Sequence, residues 1–258
     1  MRLTAETYRA IDDFRYSRFV SRGVELLNTN YGKIIQSRKL PSEVLENAIK
    51  QSFGWVEEQG FPSPLLAMRM SCAKLCFGSF FMEDIRYAEL SNIINDCISN
   101  YKINDDDSIH EYIVTHKDSW QSDCFAENRV LIERICNEQL FNSSNIPYWS
   151  VAEYIFCQLF GSEAKPLFIL PENNEQDILK QLLSSVTAVL PSESYGSAKI
   201  LLAIAQYYDG FRCFDDPLRP RWCGILAPEH RSHLYWRLQE IFSLDKTKDT
   251  NYGESRST

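Results

Sequence analysis

The side chains with most chemistry to offer are two histidine pairs, two carboxylate clusters and the cysteines. His110 and His116 flank Glu111 in HEYIVTH but stand six apart, whereas a zinc-binding helix needs its histidines four apart to face one metal. His230 and His233 sit three apart beside Glu229, yet two ligands without a third hold no metal. The first pair reads as surface histidines and the second as a pair at a helix start, and neither a metal nor a cofactor is expected. Asp215 and Asp216 precede Arg219 and Arg221 in DDPLRPR. A glycosidase-type pair needs its carboxyls about 5 to 9.5 Å apart across a cleft, and neighbouring aspartates followed by arginine better fit a helix cap with a local ion pair. The run Asp105, Asp106, Asp107 reads either as a solvated loop or as an acidic loop that enters a basic cleft of a partner. No G-x-S-x-G elbow and no glycine-rich phosphate loop occurs. Cys72, Cys76, Cys97, Cys136 and Cys157 occupy apolar helical positions and read as reduced core thiols; Cys72 with Cys76 and Cys213 with Cys223 lack C-x-x-C spacing.

Composition narrows the field further. With 35 acidic against 27 basic side chains, the chain of 258 residues carries a formal charge of −8, and no segregated arginine cluster is read from it, so a polyanionic nucleic acid is not expected as partner. Hydrophobic residues at 44% suffice for a sizeable core. A charged N-terminus without a signal-peptide core and the lack of any long apolar run imply a cytoplasmic protein with no membrane contact.

Spacings of three and four dominate the apolar pattern, which predicts an all-α, multi-helix bundle. A first helix is expected from Thr4 to Leu27, stopped near Gly32. A second comes after Pro41 and Ser42 with Leu45, Ala48, Ile49, Ser52 and Val56 on one face, ending at Gly60. Ser63 and Pro64 open a third that is apolar all round, as a central helix must be. A fourth carries Leu90, Ile93, Ile94, Cys97, Ile98 and Tyr101. Ser108 with Glu111 and Ser150 with Glu153 are read as capping boxes; Phe125, Ile132, Cys136 and Leu140 mark a helix closed by NSSNIP, and Pro166 and Pro171 bound an extended connection. Leu179, Leu182, Leu183, Val186 and Leu190 form a stripe, KILLAIAQYY another central helix, and a last helix spans Glu229 to Phe242. The resulting division is an N-terminal half (1–103), an acidic linker with a short helix (104–122), a C-terminal half (123–243) and a disordered tail (244–258), which can also pack as one domain.

The two halves repeat near an offset of 132. Gly78 falls against Gly210, Phe81 against Phe214, Glu83 and Asp84 against Asp216 and Pro217, and Arg86 against Arg219. In each half a glycine ends a central helix and an acid caps the helix that follows, which reads either as two pseudo-repeated halves or as the punctuation that helical hairpins reuse everywhere. The order of a turn at Gly60 and Phe61, an apolar helix, and then G-x-x-F with an acidic pair and an aromatic resembles a loosely defined group of small helical bacterial proteins encoded beside type VI secretion effector genes. The similarity covers roughly residues 40 to 95, with an echo at 190 to 226. That group prefers F-D-x-D-P-x-x-x-W. Here Phe81, Met82, Glu83, Asp84 and Ile85 stand in the first copy without Pro or Trp, and Phe214, Asp215, Asp216, Pro217 and Trp222 in the second with one spacer missing. The resemblance implies an accessory or immunity protein of an interbacterial toxin system.

Three functions are therefore expected in order: an immunity protein that binds and occludes a basic toxin, an adaptor or chaperone for a secreted effector, and a carboxylate-dependent enzyme centred on Asp215 and Asp216. For the first, the expected partner-binding residues are Asp105, Asp106, Asp107, Trp120, Asp215, Asp216 and Trp222, an aromatic set within an acidic rim, although for the tryptophans the reading that each seals a core edge is slightly favoured.

Overall fold

The computed structural model describes residues 5–100, 106–121, 148–160, 175–192 and 195–243. Every regular element among them is helical, in agreement with the all-α expectation. The first half comprises α1 (Ala5–Arg38), α2 (Ser42–Glu58), α3 (Pro64–Phe77), α4 (Ala88–Ser99), α5 (Asp106–Thr115) and α6 (Lys117–Gln121). The second comprises α7 (Tyr148–Phe160), α8 (Glu175–Val189), α9 (Gly196–Asp209) and α10 (Leu234–Ser243).

Ser63 starts α3 by accepting the Leu66 N–H at 3.2 Å, with Pro64 at the first helical position, where its missing N–H costs nothing. Its apolar residues surround the axis, so α1, α2, α5 and α6 pack round it and bury Leu66, Met70, Leu75 and Phe77. The α2 stripe of Leu45, Ala48, Ile49, Ser52 and Val56 is buried as predicted. Gly23 lets α1 approach: a Cβ there would lie 2.9 Å from both Ile49 Cδ1 and Met68 Sδ. In the second half α9 has the same role. Every residue from Ala198 to Tyr208 is buried, enclosed by α7, α8 and α10. Each fully buried Leu or Phe in these cores contributes about 1.5–3 kcal/mol.

Several boundaries differ from the sequence reading. Helix α1 does not stop near Gly32 but runs to Arg38, interrupted only at Tyr31 (φ −124°, ψ 20°). Tyr31, Ile34 and Ile35 are buried, and tertiary burial outweighs the roughly 1 kcal/mol helix penalty of one glycine. The stop comes at Lys39, in the left-handed region at φ 54°. Because α5 begins at Asp106 and α7 at Tyr148, Ser108 and Ser150 lie inside helices and cap neither. The last predicted helix divides into a 3-10 turn (Pro228–His233) and α10. Of the stretch read as an acidic linker, the described residues 106–121 belong to the first half, since Ile109, Tyr112, Ile113 and Trp120 enter its core. Tyr101, the helix expected at Phe125 to Leu140, the connection bounded by Pro166 and Pro171, and the tail lie outside the described residues. No helix among the described residues is long and apolar enough to cross a membrane.

Candidate functional site

Both central helices end in the same backbone shape. Gly78 closes α3 at φ 105°, ψ 155°, and Gly210 closes α9 at φ 106°, ψ 153°, a region that favours glycine. Three residues later each chain makes a 3-10 turn, Phe81–Glu83 or Cys213–Asp215, closed by Asp84 (φ −84°, ψ 118°) or Asp216 (φ −94°, ψ 112°). Each aspartate accepts the N–H two residues on, from Arg86 at 3.1 Å and from Leu218 at 2.9 Å. The repeat is real in conformation, but its register is corrected: Asp84 corresponds to Asp216, Glu83 to Asp215, and Phe81 to Cys213 in place of Phe214.

The arginines cross between the corners. Arg86 donates to the Tyr207 and Gln206 carbonyls of α9 at 2.6 and 3.0 Å. Arg219 donates to the Leu75 and Cys76 carbonyls of α3 at 3.3 and 3.1 Å, and to the Asp209 carbonyl at 2.6 Å. Helix C-termini leave carbonyls without partners and carry partial negative charge, so each half supplies the cation that closes the other half's central helix. Asp84 anchors Arg86 through a buried 2.6 Å ion pair. Asp216 crosses in the opposite sense, accepting the Ser79 N–H at 2.8 Å and its hydroxyl at 2.6 Å. Arg38 adds a 2.6 Å bond to the Leu75 carbonyl, and Trp222 Nε1 donates to Asp209 at 2.6 Å. Leu218 of the second half completes the first core.

Electrostatics reflect this burial. Burial opposes the charge on Arg86, but the adjoining Asp84 carboxylate outweighs it and raises the guanidinium pKa. Burial, and then the like charge of Arg219, pushes Arg38 down. The Cys76 and Cys213 thiols are driven well up by burial. These donors and acceptors are engaged with one another, so the constellation acts as a clamp between halves.

The expected site residues scatter. Asp216 and Trp222 are wholly buried and Trp120 is 8% exposed, which corrects their placement on a binding surface. Asp216 is consumed by Ser79 and Leu218, Trp222 packs on Phe242 at 5.7 Å, and Trp120 donates to the Ile113 carbonyl at 2.9 Å. Asp215 is exposed and pairs with Arg212 at 3.0 Å, which also lies 3.6 Å from Glu83 and over the Phe80 ring at 4.2 Å. Asp215 and Asp216 thus diverge, and the imagined two-carboxylate site is not assembled. Asp105 lies outside the described residues and Asp106 opens α5. Asp107 is exposed, 3.7 Å from Arg69. His110 is exposed and His116 stacks on Tyr112 at 4.0 Å. Among the described residues no cluster of His, Cys, Asp and Glu fits a metal ion. Cys72, Cys76 and Cys97 are buried as expected, Cys157 is exposed against expectation, and Cys136 lies outside the described residues.

A groove that the sequence reading missed runs along α1. Its first cavity, about 360 Å³, is lined by Tyr31, Leu65, Arg69, His110, Val114 and Trp120. A second, about 420 Å³, is lined by Arg15, Arg18, Phe19 and Arg22. Leu26 and Met68 line both. Leu26 is 43% exposed, and Leu65 and Val114 are each 48% exposed. The buried Arg69 Nε has no hydrogen-bond partner. The expectation of no arginine cluster is corrected here. Arg15, Arg18 and Arg22 recur at i, i+3 and i+7, the spacing of one helix face, and that spacing is the signal the sequence offers.

Comparison of the chain with family models, curated proteins and solved structures finds no match.

Proposed function

We propose that the chain is a protein-binding module, an immunity protein that binds and occludes a cognate interbacterial toxin through the face formed by α1, α3 and α5. One observation carries this reading: three half-exposed apolar side chains, Leu26, Leu65 and Val114, line one cavity over Tyr31 and Trp120, with Asp107 nearby at the start of α5. Solvent-facing apolar residues gathered round a pocket favour contact with another protein, where a few anchors carry most of the affinity. A net charge of −8 favours a basic partner through long-range steering.

The test is co-production in cells with the toxin encoded beside this gene. The unaltered chain protects. The double variant Leu65→Asp, Val114→Asp loses protection while its circular dichroism is retained. Full protection by that variant refutes the assignment of the face, and binding of the toxin without protection points to an adaptor.

A further inference from the structure

The groove has more structure than a generic apolar patch, and we propose, resting on the protein-binding reading above, that it receives an amphipathic helix of the partner bearing carboxylates beside its apolar stripe. The two cavities meet at Leu26 and Met68 and track α1 from Arg15 to Asn30. Those sixteen residues of helix span about 24 Å, or roughly four turns. This is the footprint of a docked helix, with apolar anchors spaced at i, i+3 or i+4 and i+7 entering successive pockets.

The charge pattern selects the sign of that helix. Arg15, Arg18 and Arg22 line the second cavity, and Arg69 lines the first. Arg15 meets Asp12 only at 4.0 Å, with both side chains about three-quarters exposed. Arg18 and Arg22 make no ion pair among the described residues. Arg69 touches Asp107 at 3.7 Å while its Nε stays unbonded. Arginine forks match carboxylates, and a carboxylate laid along this row gains charge-assisted hydrogen bonds without first breaking strong internal pairs. A partner with net positive charge is compatible with this, because the whole-molecule field governs encounter whereas local charges fix register.

Two labelled synthetic peptides decide the matter by fluorescence anisotropy against the full chain. Both carry leucine at i, i+3, i+4 and i+7 and are cross-linked to hold a helix; one has Glu and the other Lys at the flanking positions. The acidic peptide binds at least tenfold tighter than the basic one and weakens as salt rises. In the Arg18→Glu, Arg22→Glu variant, altered only at exposed positions, the preference reverses. Equal affinities, preference of the unaltered chain for the basic peptide, or acidic-peptide affinity unchanged in the variant overturns the proposal. So does displacement of a bound acidic peptide by millimolar glutarate as effectively as by unlabelled peptide, which assigns the arginines to a small acid. If the peptides fail while Leu65→Asp, Val114→Asp still abolishes toxin protection, the function stands and the helix is wrong; if that variant also protects, both fail.

Discussion

Replacing Gly210 by alanine places a methyl group where the two halves touch. A Cβ there lies 2.6 Å from the Phe77 carbonyl oxygen and 3.5 Å from Gly78 Cα. Both are backbone atoms, so relief requires the corners to separate and to loosen the Arg219 bonds to Leu75 and Cys76. Overpacking of this kind costs about 1–3 kcal/mol. The backbone at φ 106° adds about 1–3 kcal/mol for any residue with a Cβ. The total is roughly 2–6 kcal/mol, or about 2–4 °C of Tm for each kcal/mol in a chain near this size. Three other glycines calibrate the measurement. Gly78→Ala retains the conformational cost, but the nearest neighbour of its new Cβ is Asp216 Oδ2 at 3.4 Å, an ordinary contact. Gly60→Ala, at φ 75° with nothing within 4 Å, loses about 1–2 kcal/mol. Gly32→Ala, inside α1 with open space around it, gains about 0.5–1 kcal/mol. Urea unfolding monitored by circular dichroism ranks the four. A Gly210→Ala loss no greater than that of Gly60→Ala refutes the claim that the corners are in contact.

Two further perturbations probe the clamp and the cores. Arg86→Met leaves the Asp84 carboxylate buried and unpaired, which costs about 3–5 kcal/mol; Arg219→Met removes a donor from the Leu75, Cys76, Asp209 and Leu218 carbonyls, of which Leu75 keeps Arg38, and the double variant loses less than the two single losses combined because both act on one junction, so additivity in urea unfolding contradicts the crossed arrangement. Burial raises the phenol pKa values of Tyr31 and Tyr87 and pushes Tyr112 up to about 12. For a group whose folded pKa is raised, the contribution is complete below the unfolded value near 10 and fades as pH climbs toward the folded one. Stability therefore falls by roughly 1.4 kcal/mol per pH unit per tyrosine above about pH 10, read by chemical denaturation at stepped pH with phenolate absorbance in parallel. Flat stability from pH 10 to 12 counts against their burial.

The central helices are legible in the sequence because their signals are local. Ser63 and Pro64 start α3, and a glycine stops each helix with positive φ. The stripes of α2 and α8 are equally plain, since periodicity reports burial directly. The hidden features depend on partners distant in sequence. Nothing near Arg219 indicates that it closes α3, more than 140 residues earlier, and its proximity to Asp215 and Asp216 suggests a local ion pair instead. Trp120 and Trp222, near helix ends, read as candidate anchors or as rings sealing a core edge; burial decides for the core, and their indole N–H groups reach a backbone carbonyl and an aspartate, which lets a large ring be buried. The groove is invisible to net charge summed over the whole chain, because only the shared face of Arg15, Arg18 and Arg22 reveals it.

The proposal that the α1–α3–α5 face binds a toxin is tested most directly by hydrogen exchange of the chain alone and with that toxin added. The expected result is slow exchange in α3 and α9 in both states, with new protection on binding gathered at residues 15–30, 63–72 and 107–114. Protection confined to α8 and α10, with those segments unchanged, contradicts it.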